Sequence, residues 1–206
     1  MDERDAPETD ERSFLGGQAV GGKLAYMEAT EDKGSGLEAT SHLYLPAPNL
    51  QLLRFDHAPA LLAFERENRA YFAASIPDRG DEFFSEFDTQ HAQLLEQQAA
   101  GTDYFYLLVA EDGEVVGRVN LYKVADGSAE LGYRIAQKAA GQGLATAAVR
   151  QARELAANEY GLTRLRARVT LDNPASHKVL EHNGFVAVGE LTLNGKPAMS
   201  YICELR

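Results

Sequence analysis

The segment Ala140-Gly141-Gln142-Gly143-Leu144-Ala145 joins a stretch with the pattern of a β-strand to one with the pattern of an α-helix. Its two glycines carry no Cβ, so the backbone can approach a ligand closely at both positions. The helix that follows would point its free N–H groups and the positive end of its dipole at the same spot. The sequence therefore predicts an anion site here, suited to a pyrophosphate.

Two familiar phosphate-binding patterns do not fit this loop. No Gly-Lys-Ser/Thr follows, which excludes a P-loop, and the third glycine of the dinucleotide-binding fingerprint is missing. The strands predicted before the loop are also antiparallel, unlike those of a dinucleotide-binding unit. Taken alone, the pattern favours a tight strand-to-helix turn without a ligand, so the interpretation depends on the surrounding sequence.

Apolar periodicity and turn residues predict the order β, α, α, β, β, β, α, β, α, β, β from residue 50 onward. The predicted strands are 50–55, 104–110, 115–124, 130–135, 165–171, 185–191 and 198–205. The predicted helices are one that begins at Pro59 and ends before Pro77, then 81–99, 144–160 and 175–183. An antiparallel meander with one β-α-β crossover is typical of an α/β or α+β fold, here with a mixed sheet of about seven strands.

Charge and glycine content separate the first 40 residues from the rest of the chain. The 206 residues carry a formal charge of −11, and residues 1–40 hold ten acidic against four basic side chains. This acidic, glycine-rich stretch is predicted to be a flexible extension, within which Met27 is an alternative start site. Residues 41–206 are predicted to form a single domain.

The composition argues against several classes of protein. No basic face is visible, so we expect no nucleic-acid binding. No stretch approaches the roughly 20 apolar residues of a membrane helix, and the acidic N-terminus is the reverse of a signal peptide, so we expect a cytoplasmic protein without a membrane partner. Cys203 is the only cysteine and the histidines lack ligand spacing, so we expect neither a disulfide nor a metal site. The acidity favours a cationic acceptor, unless it only aids solubility.

Four motifs in order give the loop its context. They are 130–135 (Glu-Leu-Gly-Tyr-Arg-Ile), the loop itself, 173–176 (Asn-Pro-Ala-Ser) and 180–185 (Leu-Glu-His-Asn-Gly-Phe). With them, the chain from about Leu50 to Arg206 resembles the GNAT superfamily of acyl-CoA-dependent N-acetyltransferases, and within it the Rim-type ribosomal-protein N-terminal acetyltransferases. One departure is Ala140, which stands where the family has Gln or Arg; Lys138 or Arg150 is a candidate replacement for that cation.

The resemblance implies a GNAT-like sheet that is splayed at the cofactor site, with acetyl-CoA as co-substrate. The pantetheine arm would pair with the backbone of Tyr133, Arg134 and Ile135. Asn173 would hydrogen-bond coenzyme A, although its position before Pro174 also fits a simple helix N-cap. The pyrophosphate would lie on the loop and the first helical turn, at Gly141, Gln142, Gly143, Leu144, Ala145 and Thr146.

The catalytic residues implied by the resemblance are Ser176 and Glu130. Many family members protonate the leaving thiolate with a tyrosine at the place of Leu180, which has no proton to give. The Rim-type branch uses a serine at the place of Ser176 instead, where a hydroxyl can donate a hydrogen bond to sulfur. Glu130 is the first candidate for the base that accepts the proton of the amine, with Glu67 a weaker choice. Because no nucleophile stands beside a base, we expect direct transfer from thioester to amine.

Three functions fit this reading. The first is acetylation of a protein N-terminal amine, the second acetylation of a small amine or amino-acid-like compound, and the third a non-catalytic acyl-CoA-binding module. The sequence is compatible with a monomer or a homodimer.

Overall fold

The computed structural model describes residues 49–205, so the predicted extension at 1–40 lies outside the described residues. Seven strands form one sheet in the order β1-β2-β3-β4-β5-β7-β6. The strands are β1 (Asn49–Leu52), β2 (Tyr104–Val109), β3 (Val115–Ala125), β4 (Ser128–Ile135), β5 (Arg164–Thr170), β6 (Val186–Leu193) and β7 (Lys196–Glu204). The seven-stranded mixed sheet and its order along the chain confirm the sequence prediction.

Helices cover both faces of this sheet. They are α1 (Ala58–Glu67), α2 (Arg69–Ala73), α3 (Gly80–Ser85), α4 (Phe87–Ala99), α5 (Leu144–Asn158) and α6 (Pro174–His182). One apolar core lies between the sheet and α5 and α6, and a second lies between β2, β3 and the first helices. The helices bury their apolar sides by packing against the faces of the sheet.

Three predicted elements differ from the structure by more than two residues. The first helical region breaks at Asn68, whose side chain donates to the Phe64 carbonyl at 2.9 Å and accepts from the backbone N–H of Gln137 at 2.8 Å. These bonds tie the end of α1 to the segment before the glycine loop and compete with helix continuation. The helix predicted at 81–99 is two helices, broken at Glu86, where Phe83 packs edge-on against Phe87.

The third difference is the first strand, which ends at Leu52 rather than at residue 55. The chain turns there because Arg54 and His57 bond to each other twice: the N–H of His57 donates to the Arg54 carbonyl, and the N–H of Arg54 donates to His57 Nδ1. At the other end of the chain, the predicted turn Asn194-Gly195 does join β6 to β7. Both of its residues have positive φ, as a two-residue hairpin turn requires.

The one parallel pairing in the sheet positions the site. Strands β4 and β5 are joined through the crossover helix α5, and they pair at only three positions, from Ser128–Arg164 to Glu130–Arg166. Beyond these pairs β4 continues to Ile135 and β5 to Thr170 without pairing to each other. The sheet is therefore splayed at this point, and the opening leads to the start of α5.

Candidate active site

The glycine loop, residues 140–143, leads directly into α5, which begins at Leu144. Gly141 and Gly143 have φ of 76° and 78°, a left-handed conformation that favours glycine. A Cβ built at either position would meet no atom within 4 Å, so the space above the loop is open. No side chain caps the first turn of this 15-residue helix. The N–H groups of its first turn, which begins at Leu144, are thus placed to hold an anion.

The side chains around the loop reinforce its shape rather than reach into it. Gln142 Nε2 donates to the Lys138 carbonyl at 3.1 Å and closes the loop on itself. Lys138 Nζ forms an ion pair with Glu114, and that hydrogen bond raises the pKa of Lys138. Lys138 and Arg150 were the two candidates to replace the side chain that the family has at the position of Ala140. Lys138 is paired with Glu114, and Arg150 is exposed on the second turn of α5.

The side chains of β4 alternate between the two faces of the sheet after the pairing with β5 ends. Tyr133 and Ile135 pack against the core that includes α5 and α6. Arg134 points to the other face, where its Nη1 lies 3.0 Å from Glu65 Oε2 and its guanidinium lies 5.3 Å from the centre of the Phe72 ring. The backbone between them borders the opening, where the family resemblance predicts the pantetheine arm.

The structure brings two predicted site residues, Tyr133 and Ser176, into contact. The Tyr133 hydroxyl and Ser176 Oγ share a hydrogen bond of 2.7 Å. Both side chains are half-buried. The sequence analysis assigned only the backbone of Tyr133 to the coenzyme. It gave no role to the Tyr133 side chain, because Tyr133 and Ser176 are 43 residues apart and no local pattern shows their contact.

The first turn of α6, which carries Ser176, is anchored from two sides. Asn173 is an N-cap, since its Oδ1 accepts the backbone N–H of Ser176 at 3.1 Å. His177 Nε2 lies 3.1 Å from the Thr170 carbonyl and therefore carries a proton, while Nδ1 lies 2.7 Å from the Tyr201 hydroxyl. These contacts join α6 to the end of β5 and to the middle of β7. The partners of His177 are 7 and 24 residues away, so no local pattern singles it out.

Glu130 lies on the sheet face opposite to Tyr133 and Ser176, at the last residue pair before the opening. Its Oε2 accepts from Arg168 at 2.9 Å, and its Oε1 lies 3.7 Å from Lys123 Nζ. Both oxygens therefore have cationic neighbours. Glu130 is roughly 10 Å along the strand from Tyr133. The two predicted catalytic residues, Glu130 and Ser176, therefore lie on opposite faces of the sheet.

A buried ion cluster lies beneath α1, which the sequence analysis did not identify. Glu65 is 2% exposed and receives Arg118 Nη1 at 2.7 Å in addition to Arg134. Burial alone would raise the pKa of Glu65, but Arg134, Arg118 and Arg79 together lower it to about 2. A signal was present in the sequence: Glu65 is four residues after the buried Leu61, on the apolar side of α1.

A small cavity of about 10 Å³ lies beside this ion cluster. Its lining includes Glu65, Phe72, Arg79 and Arg134. Burial and the neighbouring Arg134 lower the pKa of Arg79 to about 10.

Two kinds of feature are absent from residues 49–205. No group of three or more His, Cys, Asp or Glu side chains in this part of the chain is arranged to hold a metal ion. None of the helices in the described range is long and apolar enough to span a membrane.

Comparison with known proteins places these features in a family. A model of the acetyltransferase (GNAT) domain matches residues 49–186. The probable N-acetyltransferase YjcK of Bacillus subtilis (strain 168) is 30% identical over 142 residues, which cover 66% of this chain and 78% of that protein.

Solved structures share the fold at lower identity. The ribosomal-protein-S5-alanine acetyltransferase of Vibrio fischeri superposes with a TM-score of 0.73 at 21% identity, over 79% of this chain and 96% of that chain. The spermidine N-acetyltransferase of Vibrio cholerae, in complex with CoA and spermine, gives a TM-score of 0.65 at 18% identity, over 77% and 96% of the two chains. The domain match and the splayed seven-stranded sheet lead to one conclusion: the chain belongs to the GNAT family of acetyltransferases, which use acetyl-CoA.

Proposed function

We propose that this acetyltransferase transfers the acetyl group of acetyl-CoA directly to the N-terminal α-amine of a protein. The observation that carries the proposal is the opening between β4 and β5, with an anion-binding loop at one end and polar groups on both of its sides. A thioester held in this opening would be exposed to an amine on the Glu130 side and to a hydrogen-bond donor on the Ser176 side.

The coenzyme would be held mainly by backbone groups. The pyrophosphate would accept hydrogen bonds from the first turn of α5, and the pantetheine arm would pair with residues 133–135 as an added strand would. A backbone N–H left unpaired at this edge can also stabilise the negative charge that develops on the thioester oxygen. Asn173 Oδ1 already caps α6, so the side-chain group it could offer to the coenzyme is Nδ2.

The state of Glu130 favours an α-amine over a lysine side chain as acceptor. Both carboxylate oxygens already have a cation nearby, so Glu130 would accept the proton of the amine through a water molecule rather than directly. An α-amine has a pKa of about 8 and a lysine about 10.4, so the α-amine needs far less help to lose its proton at neutral pH.

The motifs at 130–135 and 173–176 support a protein N-terminus as acceptor, because they resemble those of the Rim-type ribosomal-protein acetyltransferases. Acetylation of a small amine or an amino-acid-like compound is the second candidate function, and the fold shared with the spermidine N-acetyltransferase of Vibrio cholerae supports it.

Acetyl-CoA turnover with matched acceptors tests the proposal. We expect thiol release with a lysine-free peptide that has a free N-terminus, and none with an N-terminally blocked peptide that contains lysine. Faster turnover with spermidine or with a free amino acid would contradict the protein N-terminal assignment. If the protein binds coenzyme A but releases no free thiol from acetyl-CoA with any amine, it is a non-catalytic module.

The Glu130→Gln variant tests the base in the same assay. We expect kcat to fall at neutral pH, by about 100-fold, because a positioned base contributes at least that much. Glu204→Gln is the matched control, since Glu204 also pairs with an arginine of β5, Arg164, but near the far end of the strand. Equal activity of Glu130→Gln and the control would remove Glu130 as the base.

A further inference from the structure

We propose that the side chain of Tyr133 is a positioning residue for acetyl transfer, because its hydroxyl aligns Ser176 Oγ with the sulfur of the departing coenzyme A. This inference rests on the proposed function, since it concerns the same site. The 2.7 Å hydrogen bond between the two hydroxyl groups is its basis. The same phenol oxygen also lies 3.3 Å from the Ser176 carbonyl, so Tyr133 contacts the serine at two atoms.

The direction of the hydrogen bonds follows from counting protons. Each hydroxyl has one proton to donate. When the Ser176 hydroxyl donates a hydrogen bond to sulfur, its only proton is used. The hydrogen bond between the two side chains must then be donated by the Tyr133 hydroxyl. The result is a chain from Tyr133 to Ser176 to sulfur, in which the first bond strengthens the second. A serine without this partner is free to rotate away from the sulfur.

Tyr133 stays protonated under the conditions in which the chain would act. Burial raises its pKa to about 12, although the hydrogen bond with Ser176 opposes the rise. A thiol has a pKa of about 8.5, so the phenol does not give its proton up to the thiolate. In the reaction the N–C bond forms, the C–S bond breaks and its electron pair stays on sulfur. The proton lost by the amine passes through water to Glu130 and from there to solvent, and the thiolate regains a proton from solvent.

The surrounding structure holds this pair in place. Tyr133 is fixed by β4, and Ser176 belongs to a helical turn that Asn173 caps and His177 anchors to two strands. Phenylalanine at 133 would keep the ring in the apolar core and remove only the hydroxyl, so the fold should tolerate the substitution.

Two measurements test the inference on the full chain: the kcat for acetyl transfer, and the pKa of the thiol of bound coenzyme A, followed through thiolate absorbance. We expect Tyr133→Phe to lower kcat about threefold to tenfold with little change in KM, the effect of one neutral hydrogen bond. The thiol pKa of bound coenzyme A should be lower in the wild type than in Tyr133→Phe or Ser176→Ala. Tyr160→Phe is the matched control, because it removes a phenol that bonds to Tyr106 outside the site.

The double variant decides whether Tyr133 acts through the serine. Because the two hydroxyls form one chain, Tyr133→Phe added to Ser176→Ala should cause no further loss of kcat. A further tenfold loss in the double variant, or a thiol pKa that is the same in wild type and Tyr133→Phe, would overturn the inference. The thiol titration needs no acceptor, so it gives a result even if no amine is acetylated and the proposed function fails.

Discussion

Replacement of Glu65 by glutamine removes the charge at the centre of the buried cluster and keeps the shape of the side chain. Arg118 and Arg134 would then lie in the interior with the carboxylate gone. The carboxyl pKa of about 2, against 4.5 for an unperturbed glutamate, corresponds to a stabilisation of about 3 kcal/mol above pH 5. Loss of one partner of a buried ion pair costs a similar amount, about 3–5 kcal/mol.

The pH dependence gives this prediction a second test. Because the folded-state pKa lies below the unfolded one, the stabilisation is present above the unfolded value and is lost as the pH falls toward the folded value. The free energy of unfolding of the wild type should exceed that of Glu65→Gln by about 3 kcal/mol at pH 6 and by less than half of that at pH 3.

Urea unfolding at both pH values measures these differences. Glu67→Gln is the control, because Glu67 lies on the same helix and is exposed. A loss below about 1 kcal/mol in Glu65→Gln at pH 6, or one equal to that of the control, would refute the account of the cluster as a net stabilising ion network.

Three further substitutions, each paired with a control substitution, test the loop and the start of α6. Gly143→Leu should abolish coenzyme A binding in calorimetry, because a side chain would enter the open space above the loop, whereas Gly161→Leu, at the other end of α5, should leave the affinity unchanged. Asn173→Ala should lower the free energy of unfolding by about 1 kcal/mol, and Asn173→Asp should not, because aspartate also caps a helix. His177→Ala should cost about 1–3 kcal/mol for two lost hydrogen bonds, and the exposed His182→Ala much less; equal thermal shifts for the two histidine variants would contradict the anchoring role.

The elements of the fold could be predicted because their signals are local. Apolar periodicity marked all seven strands, and the crossover from β4 through α5 to β5 followed from one glycine loop between a strand and a helix. The breaks at Asn68 and Glu86 could not be predicted, since helical periodicity continues through both positions. Asn68 interrupts its helix through a bond to Gln137, which is 69 residues away.

The two halves of the site differ in the same way. Residues 140–146 and 173–176 form compact motifs, which is why the sequence alone predicts a cofactor site at these residues. The contacts that shape the rest span long distances in sequence: Glu65 lies 53 residues from Arg118, and Tyr133 lies 43 from Ser176. Such pairs leave no spacing rule in a single sequence, and they become visible only when the sheet brings the elements together.

The short pairing between β4 and β5 makes the sheet two ribbons, one of four strands and one of three, that share a seam of three residue pairs. Along the open part of the seam, one edge of each ribbon has backbone groups without a neighbouring strand. A ligand that occupies this opening would act as an inserted strand and would join the ribbons along their full length. Coenzyme A should therefore slow amide hydrogen exchange on both sides of the seam, in 131–135 and in 167–170, and raise the unfolding temperature as its concentration rises.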